Sequence, residues 1–331
     1  MSPGKSESLL IDWLRRQGGD ASEAVTTGIG DDMAVLRWKD QPVLITTDMT
    51  LEGVHFAPPS AGGVTYEQAG YKALCRCLSD CAAMASIPVA AVVAVALSNE
   101  MSMETAQELH KGIQEAANRY DCPIVGGDTT SWAGMLAVTV SMLSRVEGEP
   151  VLRSTAKVGD AILVTGDLGG SGEGKHIEFE PRVQEALWLR DTVDLHAMID
   201  VSDGLGIDLD HICEASVVAA IVDEVSVPLS AAARRRSDPL NAALSDGEDF
   251  ELLFCVSPSD ADRLLAEWKK RSHEPRGPMG RPAKLNCIGQ IIDPGSDVVR
   301  SIESSSRLYL RKSTGSIEPL APKGWQHFRD G

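Results

Sequence analysis

Acidic side chains recur at the edges of apolar segments in this chain of 331 residues. In "IVGGDTT" (124–130) an apolar run meets two glycines, an aspartate and two hydroxyl side chains, so we expect a strand that stops with Asp128 at its tip. The same pattern occurs in "GIGDDMAVL" (28–36), "VLITTDMTLEGVHF" (43–56), "CLSDCAAM" (77–84), "AILVTGDLGG" (161–170), "MIDVSDGLGIDL" (198–209) and "LSDGEDFELLF" (244–254). A single aspartate of this kind caps a helix or closes a turn, whereas the whole set indicates a cation site.

The cation that best fits these side chains is Mg²⁺. It prefers hard oxygen ligands in octahedral geometry and commonly bridges a few carboxylates to substrate phosphates. We expect the candidate carboxylates at strand or helix edges, where a rigid element can aim them: Asp31, Asp32, Asp48, Asp80, Asp128, Asp200 and Asp203.

Two other patterns suggest different chemistry. "GGSGEGKH" (169–176) has the spacing of a phosphate-binding loop, but His176 stands where a hydroxyl would bind magnesium, so we interpret it as a mobile glycine loop. Ser202 beside Asp203 lacks the Gly-x-Ser-x-Gly turn of a serine nucleophile.

Two further residues have alternative interpretations. His55 lies between apolar neighbours and is either a structural histidine or a ligand contact. Trp325, near a polar C-terminus, is either a stacking platform or a packing residue.

Composition limits the partners. The net charge is −17 and the only basic run is "RRR" (234–236), which does not fit a nucleic-acid surface. The longest apolar run, "IPVAAVVAVAL" (87–97), is shorter than the roughly 20 residues that cross a bilayer. The N-terminus lacks the apolar region of a signal peptide. We therefore expect a cytoplasmic protein that binds neither nucleic acid nor membrane.

The seven cysteines are an odd number, scattered along the chain, which indicates reduced thiols. Three of them cluster in "CRCLSDC" (75–81). We interpret these as small buried residues rather than as a thiolate metal site.

The elements that position these residues follow from hydrophobic periodicity. The length predicts two domains, separated by the polar segment 147–160. In the first part we expect helices at 9–17, 65–86 and 102–120 and strands at 33–38, 42–47, 89–97, 122–125 and 135–146, with 89–97 a buried strand. In the second we expect strands at 161–165, 197–201, 217–222 and 250–256, helices near 205–215, 229–244 and 258–272, and a surface loop at 272–282.

Several of these segments together resemble a known family. "GIGDDMAVL", "TTDMTLEGVHF", "YKALCRCLSDCAAMAS", "CPIVGGDTT", "LRSTAKVGDAILVTGDLG", "IDVSDGLGIDLDHI", "GEDFELLF" and "GWQHF" are similar, in this order, to the signature blocks of the thiamine-monophosphate kinases. The match runs from about residue 28 to residue 328. That family belongs to the superfamily of aminoimidazole ribonucleotide synthetase, selenophosphate synthetase and the hydrogenase-maturation dehydratase.

The resemblance implies a two-domain α/β fold. Residues 1–147 would bind ATP and Mg²⁺ and form a β-barrel across a homodimer, and residues 148–331 would be an α/β domain that completes the nucleotide and substrate site. The implied reaction converts ATP and thiamine monophosphate to ADP and thiamine diphosphate, with several Mg²⁺ ions.

The resemblance also implies roles for individual residues. The metal ligands would be Asp32, Thr46, Thr47, Asp48, Asp80, Asp128, Asp200 and Asp203. ATP would be bound by Gly127, Asp128, Arg153 and Ser202, and the thiamine part by His55, Glu248 and Trp325. No residue is expected to act covalently, because the acceptor phosphate brings its own nucleophilic oxygen and metal-assisted transfer can be direct.

Three departures from the family pattern concern the acceptor pocket. Cys77 stands where relatives usually carry Asn, Asp246 replaces the first glycine of Gly-Gly-Glu-Asp, and the region 166–182 is shorter than usual. Two alternatives therefore stay open: another ATP-dependent enzyme of the superfamily, acting on a different phosphate or amide, and a non-catalytic regulator that binds a nucleotide or metal.

Overall fold

The computed structural model describes residue 11 and residues 24–39, 41–271, 283–302 and 304–325. Apart from residue 11, the helix expected at 9–17 and the loop expected at 272–282 lie outside these residues. Among the described helices, none is long and apolar enough to cross a bilayer.

Strands and helices alternate along most of the chain, giving a mixed α/β fold. In chain order they are β1 (Val25–Thr27), β2 (Ala34–Trp38), β3 (Gln41–Leu51), α1 (Tyr66–Ala83), β4 (Ile87–Ser98), α2 (Met103–Arg119), β5 (Ile124–Trp132), β6 (Ala137–Arg145), β7 (Ala161–Thr165), α3 (Lys175–Glu178), α4 (Val183–Thr192), β8 (Ala197–Asp200), α5 (Leu205–Ser216), β9 (Ala219–Asp223), α6 (Pro239–Ser245), β10 (Leu252–Val256), α7 (Pro258–Arg271), β11 (Leu285–Ile292), α8 (Asp297–Ser301), β12 (Leu308–Arg311) and β13 (Ile317–Pro319).

The chain divides into two compact units. The first unit comprises the described residues of Arg15–Pro150 together with Gly174–Val183. Its six-stranded sheet has the order β1-β2-β3-β6-β4-β5. Neighbouring strands are antiparallel except for the edge pair β4 and β5, which is parallel. Helix α2 connects these two strands, as a parallel pair requires a crossover.

One face of the first sheet is buried and the other is open. On β3, Leu44 and Thr50 are buried whereas Ile45 and Met49 are exposed, as the period of two predicts for a half-covered strand. We expected 89–97 to be a buried strand. This expectation is wrong for one face of the strand, because Val89 and Val92 on β4 are exposed. The run is apolar on both faces although α1 packs against the sheet on one side only.

Helix α1 begins where a capping box predicts it. The backbone N–H of Gln68 donates to Thr65 Oγ1 at 3.1 Å, and the Thr65 N–H donates to Gln68 Oε1 at 3.0 Å. The helix then packs against α2 through two glycines at close approach. A Cβ on Gly70 would lie 2.0 Å from the Leu109 carbonyl oxygen, and a Cβ on Gly112 would lie 1.7 Å from the Glu67 carbonyl oxygen. Glycine at both positions therefore sets the spacing of the two helices.

The second unit comprises residue 11, Val151–Glu173 and the described residues of Gln184–Gly331. Its seven-stranded sheet has the order β13-β12-β9-β11-β7-β10-β8. Strands β7, β8 and β10 are buried at every position, which is typical of strands covered on both faces. On β9, Ala220 and Val222 belong to the main apolar cluster while Ala219 and Ile221 pack with Tyr309 in a second cluster.

The helix expected at 229–244 is wrong in extent. The segment contains a 3₁₀ turn at Ala233–Arg235, and only Pro239–Ser245 is α-helical. A new helix starts there because Pro239 fits the first turn and Asp238 Oδ1 accepts a hydrogen bond from the Asn241 N–H at 3.0 Å.

We expect the substitution Gly112→Ala to destabilise the protein. Alanine is favoured over glycine within a helix by about 1 kcal/mol. Overpacking costs about 1–3 kcal/mol, and a methyl group that meets the rigid backbone of α1 will reach the upper part of that range. Urea unfolding measures the difference. The control is Gly28→Ala, whose Cβ would meet its nearest neighbour, Val25 Cγ1, at 4.0 Å. A Gly112→Ala protein as stable as this control would contradict the close packing of α1 and α2.

Candidate active site

A group of oxygen ligands surrounds Asp80 in the first unit. Thr46 and Asp48 are two residues apart on β3 and therefore share a face of the strand. Thr46 Oγ1 donates a hydrogen bond to Asp80 Oδ2 at 2.5 Å. Carboxylate oxygens of Asp48 and of Asp32 each lie within 4.8 Å of a carboxylate oxygen of Asp80. The fold thus brings together four of the predicted metal ligands, although Asp48 lies in the middle of β3 and not at its edge as we expected.

Cys77 lies beside this group as a buried thiol. Its Sγ is within 4.8 Å of the Asp48 and Asp80 carboxylates and donates to the Val140 carbonyl at 3.4 Å. Burial, reinforced by the negative charges of Asp48 and Asp80, raises the pKa of the Cys77 thiol well above its usual range. The thiol is therefore protonated at neutral pH, and the remaining oxygen ligands suit Mg²⁺ better than a soft metal.

The neighbours of Asp48 differ in whether they join this group. Arg76 Nη2 forms an ion pair with Asp48 Oδ1 at 3.1 Å and offsets part of the negative charge. The Thr47 side chain instead lies on the opposite face of β3, where its Oγ1 donates to the Val140 carbonyl at 3.1 Å. Thr47 is therefore placed apart from Asp80, unlike its neighbours Thr46 and Asp48.

Asp128 lies in the middle of strand β5, and the prediction that the strand stops there is wrong. β5 continues in parallel register with β4 as far as the pairing of Ser98 with Trp132. Gly127 makes this possible, because a Cβ there would lie 1.9 Å from the Val93 carbonyl oxygen. The glycine allows close strand pairing and does not interrupt the strand.

A cavity of about 420 Å³ adjoins Asp128. Gly127 and Asp128 line one side, and Leu109, His110 and Ile113 of α2 line another. Apolar walls with a few polar groups are typical of small-molecule sites. The sequence did not identify His110, since on an amphipathic helix it has no distinguishing signal.

In the second unit, the backbone of the loop after β8 forms hydrogen bonds with Glu248 and Trp325, two residues predicted to bind the thiamine part. Ser202 and Asp203 follow Asp200, the buried last residue of β8. The Ser202 carbonyl accepts a hydrogen bond from the Glu248 N–H at 2.7 Å, and the Asp203 carbonyl accepts one from the Trp325 N–H at 2.8 Å. Residues predicted for the metal and nucleotide thus lie directly against residues predicted for the thiamine part.

Asp208 supports the same loop and was missed by the sequence analysis. Its Oδ2 accepts hydrogen bonds from the N–H groups of Asp203 at 3.1 Å and Gly204 at 3.0 Å. Burial raises the pKa of the Asp208 carboxyl well above its usual range, and the charges of Asp203 and Asp200 add to the effect. The available signal was an acidic residue in the first turn of α5. This concentration of negative charge favours a bound cation.

The two remaining predicted residues are positioned by separate contacts. His55 Nδ1 accepts a hydrogen bond from the Leu51 N–H at 3.0 Å, so its neutral ring carries the proton on Nε2 and can donate from there. The buried Lys72 Nζ donates to the His55 carbonyl at 2.7 Å. Arg153 lies in the turn before β7, where its carbonyl accepts from Ser216 Oγ at 2.9 Å.

The glycine loop expected at 169–176 is not a phosphate-binding loop. The Gly169 N–H donates to Asp249 Oδ2 and the Gly170 N–H donates to Asp246 Oδ2, both at 2.8 Å. A phosphate-binding loop offers such N–H groups to the phosphates, whereas here carboxylates of the protein occupy them.

Comparison with known proteins identifies the family of this chain. The family described as "AIR synthase related protein, N-terminal domain" matches residues 30–146. A curated thiamine-monophosphate kinase of Rhodopirellula baltica is 44% identical over 317 residues, which cover 92% of each chain.

Two solved structures have the same fold. The thiamine-monophosphate kinase of Stenotrophomonas maltophilia is 32% identical, with a TM-score of 0.66 over 87% of this chain and 94% of that one. A structure described as "AaThiL complexed with AMPPCP and TMP" is 24% identical, with a TM-score of 0.77 over 98% of this chain and 97% of that one. From the extent and identity of these matches, the chain belongs to the thiamine-monophosphate kinase family.

Proposed function

We propose that this protein transfers the γ-phosphoryl group of ATP to the phosphate of thiamine monophosphate, giving thiamine diphosphate and ADP. The observation that carries the proposal is the loop after β8. Its Ser202 and Asp203 carbonyls bind the backbone of Glu248 and Trp325, so groups that suit a metal–phosphate adjoin groups that suit a heterocycle. Joining two phosphates requires this proximity, because phosphoryl transfer depends mainly on positioning and charge neutralisation.

The residues that would hold Mg²⁺ are the oxygen ligands that the sequence predicts in each unit. Asp32, Thr46, Asp48 and Asp80 form the group around Asp80. Thr47, on the opposite face of β3, and Asp128, on β5, would hold Mg²⁺ only at positions apart from this group. In the second unit we assign Asp200 and Asp203, whose negative charges both act on the Asp208 carboxyl, to the same role. When bound, Mg²⁺ neutralises phosphate charge and allows two anionic substrates to approach each other.

The cavity beside Asp128 supports an assignment for ATP. Its volume, about 420 Å³, lies within the range of about 300–1,000 Å³ that is usual for small-molecule sites. We infer that the apolar wall of α2 and His110 accept the adenine base, and that the phosphate chain lies at the side lined by Gly127 and Asp128.

The acceptor would be bound by an aromatic face and a carboxylate. Trp325 is 37% exposed, so part of its ring is available to stack on the positively charged thiazolium ring. Glu248 offers the complementary negative charge. These groups favour a thiamine ester over an uncharged acceptor.

A coupled ADP-release assay tests the function. We expect turnover with thiamine monophosphate, ATP and Mg²⁺, and no turnover with free thiamine. Asp80→Asn should lower kcat by at least about 100-fold, since it removes the central metal ligand. Because it also removes one of several repelling carboxylates, the thermal stability should not fall.

The matched control is Asp121→Asn, an exposed aspartate of the same unit at φ 51°, a conformation that asparagine tolerates. Its activity should equal that of the wild type. ATP binding without ADP release on any thiamine ester would instead indicate a regulator. Turnover with a different phosphate or amide would indicate another enzyme of the superfamily.

The transfer should be direct, without a phosphorylated enzyme. The acceptor phosphate supplies the nucleophilic oxygen, and the aspartates engaged as metal ligands are poor nucleophiles. We expect no labelled protein and no ADP–ATP exchange when the enzyme is incubated with γ-labelled ATP and Mg²⁺ in the absence of thiamine monophosphate. A stoichiometric phosphoprotein that reacts onward with the acceptor would refute direct transfer.

We further infer that the protein is a homodimer in which the open face of the first sheet pairs with that of a second copy to form a β-barrel. A large exposed apolar face marks an interaction surface. The exposed apolar residues on it are Ile45, Met49, Val92, Val125, Trp132 and Leu143. Strand β5 is exposed at nearly every position, and among the described residues no strand pairs with its outer edge, which can therefore pair with another chain.

A charged residue on this face should separate the subunits. Val92 lies opposite Ser141 of β6, with 42% of its surface exposed. In light scattering after size exclusion, Val92→Arg should be a monomer where the wild type is a dimer. Val225→Arg, at an exposed position of the second unit, should remain a dimer. A monomeric wild type, or a dimeric Val92→Arg protein, would be evidence against the barrel.

A further inference from the structure

The glycine loop is attached to the turn that contains Glu248. We define the acceptor turn as residues 246–250. Asp246 Oδ2 accepts a hydrogen bond from the Gly170 N–H, and Asp249 Oδ2 accepts one from the Gly169 N–H, both at 2.8 Å. Ser171 Oγ donates to the Gly247 carbonyl at 2.5 Å. Three hydrogen bonds therefore connect the loop to positions on both sides of Glu248.

The backbone of the acceptor turn needs such support. Gly247, Glu248 and Phe250 have φ values of 73°, 52° and 50°. A non-glycine residue is rarely left-handed, and such a conformation persists only where the surrounding structure holds it. On one side, the N–H groups of Glu248 and Phe250 donate to the carbonyls of Ser202 at 2.7 Å and Val201 at 2.8 Å. The glycine loop provides the contacts on the other side.

The position of Asp246 is not explained by the stability of its own helix. It is the C-cap residue of α6, and its side chain is exposed. A carboxylate at this end is unfavourable because the helix dipole is negative there. The hydrogen bond from Gly170 gives it a role outside the helix. Asp238, at the opposite end of α6, is by contrast an ordinary N-cap.

We propose that Asp246 is a positioning residue that fixes the geometry of Glu248 for the acceptor by binding the glycine loop to the acceptor turn. The inference rests on the proposed function, since Glu248 is taken to contact thiamine monophosphate. Asp246 itself would not touch the substrate. Its loss would therefore act on acceptor binding and leave the nucleotide unaffected.

Steady-state kinetics of three variants tests the proposal. Asp246→Ala should raise the KM for thiamine monophosphate about 3- to 10-fold, which is the effect expected from the loss of one hydrogen bond. The KM for ATP should stay unchanged. Asp246→Asn should restore the wild-type KM to within about twofold, since its amide oxygen can still accept from the Gly170 N–H. The matched control, Asp238→Ala, removes the cap at the other end of α6 and should lower the melting temperature without changing either KM.

Backbone amide exchange separates this inference from the proposed function. Asp246→Ala should speed exchange at Gly170 relative to the wild type and to Asp238→Ala, whether or not the wild type uses thiamine monophosphate. Unchanged exchange at Gly170 would show that Asp246 does not hold the glycine loop on the acceptor turn. Equal increases in KM for both substrates would show that Asp246 has no specific role in acceptor binding. If Asp238→Ala reproduces the kinetic change, Asp246 acts only through helix stability and the proposal fails. A wild type without thiamine-monophosphate turnover would refute the proposed function. Amide exchange at Gly170 would then still test whether Asp246 holds the glycine loop on the acceptor turn.

Discussion

Two backbone hydrogen bonds determine how the second unit arranges its functional side chains: Glu248 N–H to the Ser202 carbonyl and Trp325 N–H to the Asp203 carbonyl. Because the main chain makes both bonds, backbone geometry fixes where the side chains on either side of the contact begin. The contact requires glycine, since a Cβ on Gly324 would lie 2.3 Å from the Asp203 carbonyl oxygen. Asp208 completes the arrangement by accepting hydrogen bonds from the loop's own N–H groups. Both the carbonyl groups and the N–H groups of the loop therefore form hydrogen bonds within the second unit.

The first unit organises its carboxylates through side chains on regular elements. β3 presents Thr46 and Asp48 on one face, and α1 presents Asp80 to them. The covered face has to accommodate these charges beside an apolar core, and Arg76 balances only part of them. Carboxylates this close repel one another, and a divalent cation between oxygen ligands would relieve the repulsion. Protonation of the Cys77 thiol keeps a further negative charge out of the group.

The sequence predicted the parts of the fold that depend on local periodicity. The extents of α1, α2, α5 and α7 and of the buried strands β7 and β10 follow from apolar spacing and capping residues. The continuation of β5 through Gly127 was not predictable, because glycine favours a strand there only when a neighbouring carbonyl lies close. Likewise, the run at 89–97 is apolar on both faces, so its sequence pattern does not reveal which face of β4 is exposed. The carboxylate set was visible because its members stand in apolar surroundings. Contacts between distant segments, such as Glu248 with Ser202 or His110 with the cavity beside Asp128, leave no periodic signal.

The left-handed backbone at Glu248 has an evolutionary consequence. Its φ of 52° suits glycine, asparagine and aspartate and strongly disfavours Val, Ile and Thr, whatever their side chains would offer a ligand. Specificity at this position can therefore drift only among a few residue types unless the surrounding segment is rebuilt. Lineages that change the preferred acceptor should show substitutions first at neighbours with ordinary backbone conformations. The backbone conformation at position 248 thus limits which substitutions can be tolerated there, independently of their effect on ligand binding.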